Sequence, residues 1–503
     1  MDTLLTAEIA ANAPRYRRKS STFIDAIHDI PHGQDLAPAQ LYSTMSGRLF
    51  HSGRIVIVMV GPPARGKTHI CVSMARYLSW LGVKSRIFHL GDYRRATVGP
   101  DGSIPDDYFF PNASPASVIL RQKILKKCRE DIYSWLNHDN GQVAIYDAVN
   151  PTANGRRSLA KEFAKHDVQT LFIESFVDDE RILRENARNV KISSPDFAGM
   201  EPDEAAKLYL QRIEMKIPVF ETMNEKELNY IKMINAGTKF FYNNVSFNYL
   251  AHRIVFYLTN LHIKSRKTFF ARAGTTAEED SYKADAPLSL EGRDYAQKMS
   301  EALLKHREQE RLTTIAEGGT DAPLPPLTVW TSTRMRTVQT SDVLNEKGYK
   351  VRQRSQLSQI NPGSYHDLAV RLEPIILELE REQTDLLIIA HESVLRVLYA
   401  YLMHCSTTDI PVINFPRDEI IEIVPAAYQN EAKRIHIPGL NPQIVPGSPQ
   451  DIKIPVPSSG VVSAQLSPIP SGVGTPAEHA ERPPEKVINT AKDMVADKVN
   501  DED

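Results

Sequence analysis

Cysteine is scarce: the 503 residues include three, Cys71, Cys128 and Cys405, far apart along the chain. That spacing builds neither a disulfide framework nor a Cys-rich zinc site, so a reducing, cytoplasmic setting is expected. Charge of one sign is missing as well, since 60 Lys+Arg stand against 62 Asp+Glu for a net −2. Without excess cation the chain has no means of coating nucleic acid, although local basic sites for small phosphates stay open. Long apolar runs are absent. Stretches such as Ile55–Val60 fall far short of the ~20 residues a membrane helix needs, and no secretory apolar region opens the N-terminus. Neither a nucleic acid nor a membrane is expected as a partner. Residues 438–503 contain no Phe, Trp or Tyr but 11 of the 33 prolines. Such a stretch cannot assemble a core and is expected to be disordered.

What is present is an alternation of apolar strands and helical stretches. Residues 1–50 lack a sustained period and read as a mobile arm with a basic cluster at Arg15, Arg17, Arg18 and Lys19. Strands are expected at Arg54–Val60, Lys84–Leu90, Gln142–Tyr146 and Val168–Glu174, with helices such as Lys67–Leu81 and Ser117–Leu136 between them. A closing helix at Tyr249–Asn260 precedes a second series, with strands Thr268–Ala271, Leu327–Thr331 and Asp385–Ala390. Helices near Leu290–His306, Met335–Leu344 and Asp367–Glu382 separate them. The pattern predicts two α/β domains, 51–262 and 263–438, flanked by tails 1–50 and 439–503.

The strongest local signal is Gly61-Pro62-Pro63-Ala64-Arg65-Gly66-Lys67-Thr68. It fits the phosphate-loop pattern G-x-x-x-x-G-K-[ST], follows a predicted strand and opens a predicted helix. Backbone N–H groups of such a loop wrap phosphate oxygens, aided by the helix N-terminus. Lys67 is expected to reach the β- and γ-phosphates of ATP, and the Thr68 hydroxyl to ligate Mg²⁺. Asp147, ending the strand Gln142–Tyr146, is placed to serve the same Mg²⁺. Candidate cations for an acceptor sugar phosphate are Arg94 and Arg95, Arg156 and Arg157, Lys191 and Arg212.

In chain order, the phosphate loop, Gly91-Asp92-Tyr93-Arg94-Arg95, Asp147-Ala148-Val149-Asn150 and Val190-Lys191-Ile192-Ser193-Ser194-Pro195-Asp196 resemble 6-phosphofructo-2-kinase/fructose-2,6-bisphosphatase. That family comprises the bifunctional enzymes of glycolytic control. The resemblance runs from about Arg54 to Pro438. It implies an N-terminal P-loop kinase domain with a mainly parallel sheet and a C-terminal histidine-phosphatase (phosphoglycerate-mutase-like) α/β domain. It further implies ATP contacts at Gly61 to Thr68, Asn186 and Lys191, with Lys67, Asp147 and Lys191 catalytic. Arg94, Arg156, Lys191 and Arg212 would bind fructose 6-phosphate. Four positions depart from the family: Val149 stands for a threonine, Phe110 for an arginine, Lys216 for a tyrosine and Val177 for a cysteine.

The second half departs further. Where the family has Arg-His-Gly with a nucleophilic histidine, this chain reads Arg272-Ala273-Gly274. Glu279 and Glu392 replace an asparagine and a glutamine, while Arg336 and His391 match. The several dozen family residues carrying the general acid are missing between Gln359 and Tyr365. The resemblance therefore implies a kinase without bisphosphatase activity; the alternative is a nucleotide-binding pseudoenzyme with a regulatory or partner-binding role. A homodimer is left open. Arg17-Arg18-Lys19-Ser20 has the pattern of a cyclic-AMP-dependent kinase site. Ser448, Ser467 and Thr475, each followed by proline, offer proline-directed sites in the tail.

Overall fold

The computed structural model describes residues 54–98, 105–109, 112–180, 182–183, 186, 220–245, 248–263, 266–277, 279, 285–316, 321–359, 365–426 and 428–440. All of them fall within one compact unit.

The first half runs β1 (Ile55–Val60), α1 (Lys67–Trp80), β2 (Ser85–His89), α2 (Leu90–Val98), α3 (Pro115–Asn137), β3 (Val143–Asp147), α4 (Ala153–Ala164), β4 (Gln169–Phe176), β5 (Tyr230–Ile234), β6 (Lys239–Asn243) and α5 (Tyr249–Asn260). Its sheet has the order β2-β3-β1-β4-β5-β6. The first five strands pair in parallel, and β6 pairs antiparallel with β5. Every residue of β1 is buried, as expected of a central parallel strand covered on both faces.

The second half runs β7 (Thr268–Arg272), α6 (Leu290–Ala316), β8 (Leu327–Thr331), α7 (Met335–Thr340), α8 (Asp342–Glu346), β9 (Lys350–Gln353), α9 (Tyr365–Arg381), β10 (Asp385–Ala390), α10 (Glu392–Met403), β11 (Glu419–Val424) and β12 (Glu431–His436). The sheet order is β12-β11-β7-β10-β8-β9. Strands β7, β10, β8 and β9 pair in parallel in that order, whereas β11 pairs antiparallel with both β7 and β12. The α/β class with a mainly parallel first sheet is what the sequence predicts.

Some boundaries differ. Leu90 begins α2 rather than ending a strand, and the helix expected at Met335–Leu344 breaks at Ser341. The helix expected to stop near His306 continues to Ala316.

The halves share packing. One apolar cluster takes Met74, Trp80 and Leu81 from the first half together with Leu372, Ile376, Leu398 and Tyr401 from the second. Tyr77 stacks on Tyr257 with ring centroids 4.3 Å apart, and Trp80 meets Tyr401 edge-on at 5.5 Å. Across the same face Arg76 pairs with Glu380 at 3.3 Å, and the Tyr77 hydroxyl donates to Glu373 at 3.1 Å. The helix that leaves the phosphate loop thus rests on the second half along one side.

Candidate active site

Two strand ends carry the chemistry-bearing residues, one in each sheet. At the first, β1 lies between β3 and β4, the kind of reversal point in a parallel sheet where ligands settle beyond the carboxyl ends of strands. Gly61 leaves β1 with φ 136° and Gly66 enters α1 with φ 77°. A Cβ on Gly61 would stand 2.7 Å from the Ser175 carbonyl oxygen. The loop therefore needs glycine both for its torsion and for its approach to β4. The Gly61 N–H donates to the Val149 carbonyl at 3.1 Å, and the Asn150 amide donates to the Met59 carbonyl at 2.8 Å. Arg65 donates to the Pro63 carbonyl at 3.2 Å. The Asn186 amide donates to the Ala64 carbonyl at 3.1 Å, so this sequence-predicted residue lies against the loop.

Lys67 is buried and its ammonium donates to the Pro62 carbonyl at 2.7 Å. Burial pulls its pKa down to about 8, against the opposing pull of Asp147. A cation held this way, at the positive end of α1, is prepared to neutralise an anion in the loop. The Thr68 hydroxyl donates to Asp147 Oδ2 at 2.8 Å. This hydroxyl and carboxylate are hard oxygen donors of the kind Mg²⁺ takes.

His89 was not foreseen from the sequence. It ends β2 directly opposite Asp147 in the parallel register, with Nδ1 2.8 Å from Asp147 Oδ2. Burial alone would raise the Asp147 pKa, but the His89 hydrogen bond and charge, then Lys67 and Thr68, hold it below the usual carboxylate range. His89 responds in the opposite sense: burial lowers its pKa, and Asp147 more than offsets this and raises it. A histidine closing a strand beside one that ends in a candidate metal-binding aspartate was the available signal.

The acceptor cations separate. Arg94 sits half-buried on α2. Arg156 does not stand on an open acceptor face. Its side chain is fully enclosed, pairs with Glu225 at 2.7 Å and donates to the Asn150 and Pro151 carbonyls at 3.0 Å each. In this conformation it props the turn after β3, because a guanidinium without its carboxylate could not be buried there. Lys191, Arg212, Phe110 and Lys216 lie outside the described residues, as do Ser20, Ser448, Ser467 and Thr475.

At the second strand end, β7 delivers Arg272 and Ala273, and β10 delivers His391. The Ala273 N–H donates to the Ala390 carbonyl at 3.1 Å, and the Gly274 N–H donates to Thr340 Oγ1 at 3.0 Å. A Cβ on Gly274 would come within 2.8 Å of the Gly292 carbonyl oxygen. Arg336 donates to His391 Nε2 at 2.7 Å, and Arg417 donates to the Ala273 carbonyl at 3.0 Å. Arg417 escaped the sequence reading because it is distant in the chain and belongs to no quoted motif. Burial, then Arg336, Arg334, Arg272 and Arg417, push the His391 pKa down to about 3, so the ring is neutral and accepts from Arg336. Glu392 turns back on Arg272 at 3.1 Å and accepts from Arg396 at 2.7 Å. The cluster can hold an anion, yet the Ala273 methyl offers no atom to attack one.

The family model for 6-phosphofructo-2-kinase matches residues 42–265. The chain is 38% identical over 461 residues to a Saccharomyces cerevisiae protein named "Putative 6-phosphofructo-2-kinase/fructose-2,6-bisphosphatase", covering 82% of this chain and 89% of that one. The chain belongs to the 6-phosphofructo-2-kinase/fructose-2,6-bisphosphatase family. Human 6-phosphofructo-2-kinase/fructose-2,6-bisphosphatase 1 is 31% identical over 448 residues, 81% of this chain and 90% of its own length. Among solved structures, a mycobacterial glucosyl-3-phosphoglycerate phosphatase overlaps 34% of this chain and 97% of its own at 16% identity and a TM-score of 0.26. Among the described residues no helix is long and apolar enough to cross a membrane.

Proposed function

We propose that the first half transfers the γ-phosphoryl group of ATP to the 2-hydroxyl of fructose 6-phosphate, giving fructose 2,6-bisphosphate, and that the second half does not hydrolyse this product. The observation carrying this reading is the contrast between the two strand ends: Lys67, Thr68 and Asp147 converge at the first, whereas the second presents Ala273. Loop residues 61–68 and Asn186 would hold the nucleotide, and Thr68 and Asp147 would hold Mg²⁺. When bound, Mg²⁺ offsets charge on the β- and γ-phosphate oxygens. Lys67 adds a second positive charge where negative charge builds on the transferring group. Asp147, kept ionised by His89, would also orient the attacking hydroxyl for in-line transfer. We assign Arg94, Lys191 and Arg212 to the acceptor phosphate, Lys191 serving the nucleotide as well. Arg156 has a supporting part, holding the backbone of residues 150 and 151. The cysteines are buried and unpaired, in keeping with a cytoplasmic enzyme.

A nucleotide-binding pseudoenzyme is the second reading. Val149 favours it, because its side chain has no hydroxyl beside Asp147. Purified protein incubated with ATP, Mg²⁺ and fructose 6-phosphate is expected to accumulate fructose 2,6-bisphosphate, and the Lys67→Ala protein is not. No product from wild type, with ATP binding intact, would select the pseudoenzyme.

A further inference from the structure

A polar pocket lies where α1 meets the second half, apart from both strand-end sites. His69 and Arg76 of α1, His262 and Arg266 from the connection before β7, and Glu380 of α9 line it. It has room for two or three waters or one small oxyanion.

Its charges do not balance: two guanidiniums, those of Arg76 and Arg266, share a single lining carboxylate. Glu380 is already engaged, accepting from Arg76 at 3.3 Å and from the Tyr401 hydroxyl at 2.5 Å. The other carboxylates that Arg266 senses are Glu382 and Asp385. Both are paired elsewhere, Glu382 with Arg352 at 3.7 Å and Asp385 with Arg307 at 2.8 Å. Arg266 donates to Thr268 Oγ1 at 2.7 Å and to the Leu379 carbonyl, both uncharged. Arg76 Nε is buried without a partner. Buried cations without matching anions are costly, and a small multivalent oxyanion supplies what this pocket lacks.

We propose that the pocket binds a small oxyanion, either inorganic phosphate or the phosphoryl group of a phosphomonoester, and that occupancy alters nucleotide affinity through α1. Lys67, Thr68 and His69 are consecutive in the first turn of that helix, so a shift at His69 moves the end of the phosphate loop. The coupling rests on the nucleotide-binding reading; the oxyanion site does not.

The full-length protein is titrated with inorganic phosphate, and in a second arm with methyl phosphate, at constant ionic strength with chloride as reference. Melting temperature and calorimetry are the readouts. Arg266→Gln is expected to weaken phosphate binding by about tenfold or more, the scale of one charge-assisted contact, while Arg266→Lys keeps most of it. Phosphate held at the phosphate loop or around Arg336 is common to all three proteins and cancels in the comparison. Binding of methyl phosphate assigns the site to a phosphomonoester, and binding of phosphate alone assigns it to the free ion. Equal phosphate binding by wild type and Arg266→Gln overturns the site. Phosphate should also change affinity for a non-hydrolysable ATP analogue more in wild type than in Arg266→Gln; equal changes overturn the coupling. Neither readout requires phosphoryl transfer, so a chain that binds ATP without turnover is tested equally well.

Discussion

The two strand ends are built alike and differ in what they present. Each follows a parallel strand with a turn in which a glycine approaches neighbouring backbone too closely for a Cβ, Gly61 at Ser175 and Gly274 at Gly292. Each gathers cations around the place an anion would occupy. At the first, the charged groups meet groups that can react or bind metal. At the second, His391 is locked by Arg336, Arg272 is occupied by Glu392, and Ala273 is inert. Backbone packing and side-chain chemistry are therefore separable: the close approaches are held by the sheet, whereas activity depends on a few side-chain atoms.

The sharpest way to break this comparison is Lys67→Ala. It should reduce ATP affinity by roughly a hundredfold, since a charge-assisted phosphate contact is worth about 1.5–3 kcal/mol, and leave the fold intact. Unchanged affinity by calorimetry would remove the distinction between the two ends. Next comes Arg156→Ala, which leaves Glu225 buried without its partner and should destabilise the protein by about 3–5 kcal/mol in denaturant titration. A raised KM for fructose 6-phosphate at unaltered stability would instead return Arg156 to the acceptor site. A smaller effect is expected from acid. Burial draws the pKa of His69 and His404 to about 4 and that of His391 to about 3. Unfolded histidine titrates near 6.5, so between that pH and about 4 the unfolded chain binds protons the native one refuses. Stability should fall as pH falls through this window, and His391→Gln should flatten the slope of urea midpoint against pH. The smallest expected effect is none: Ala273→His alone should not restore hydrolysis of fructose 2,6-bisphosphate. Steady release of phosphate by that variant would show that the cradle still contains a proton donor.

What was legible from the sequence follows from how local each signal is. The loop between β1 and α1 is written in eight consecutive residues, and the central parallel strands of both sheets show as apolar runs. Strands β5, β6, β9, β11 and β12 were missed: β6, β9 and β12 are largely exposed or mixed, with Phe241 and Tyr242 facing outward, and the apolar runs of β5 and β11 are broken by Lys232 and Glu422. Pairing of His89 with Asp147 depends on the register of β2 against β3, which no short motif encodes. The pairing of Arg156 is with Glu225, 69 residues away. An arginine in a basic doublet reads the same whether it meets a substrate or a buried carboxylate.

The contact of α1 with the second half bears on what heredity can remove from this gene. Trp80, Tyr77 and Arg76 find partners on α9 and α10. A stop codon before β7 would strip the helix of its outer wall and open an apolar face beside the phosphate loop. Substitutions at the reacting atoms of the second half leave that wall standing. The second half thus serves as a wall for the first whatever its reacting atoms do, and its sequence is free to drift most where nothing leans.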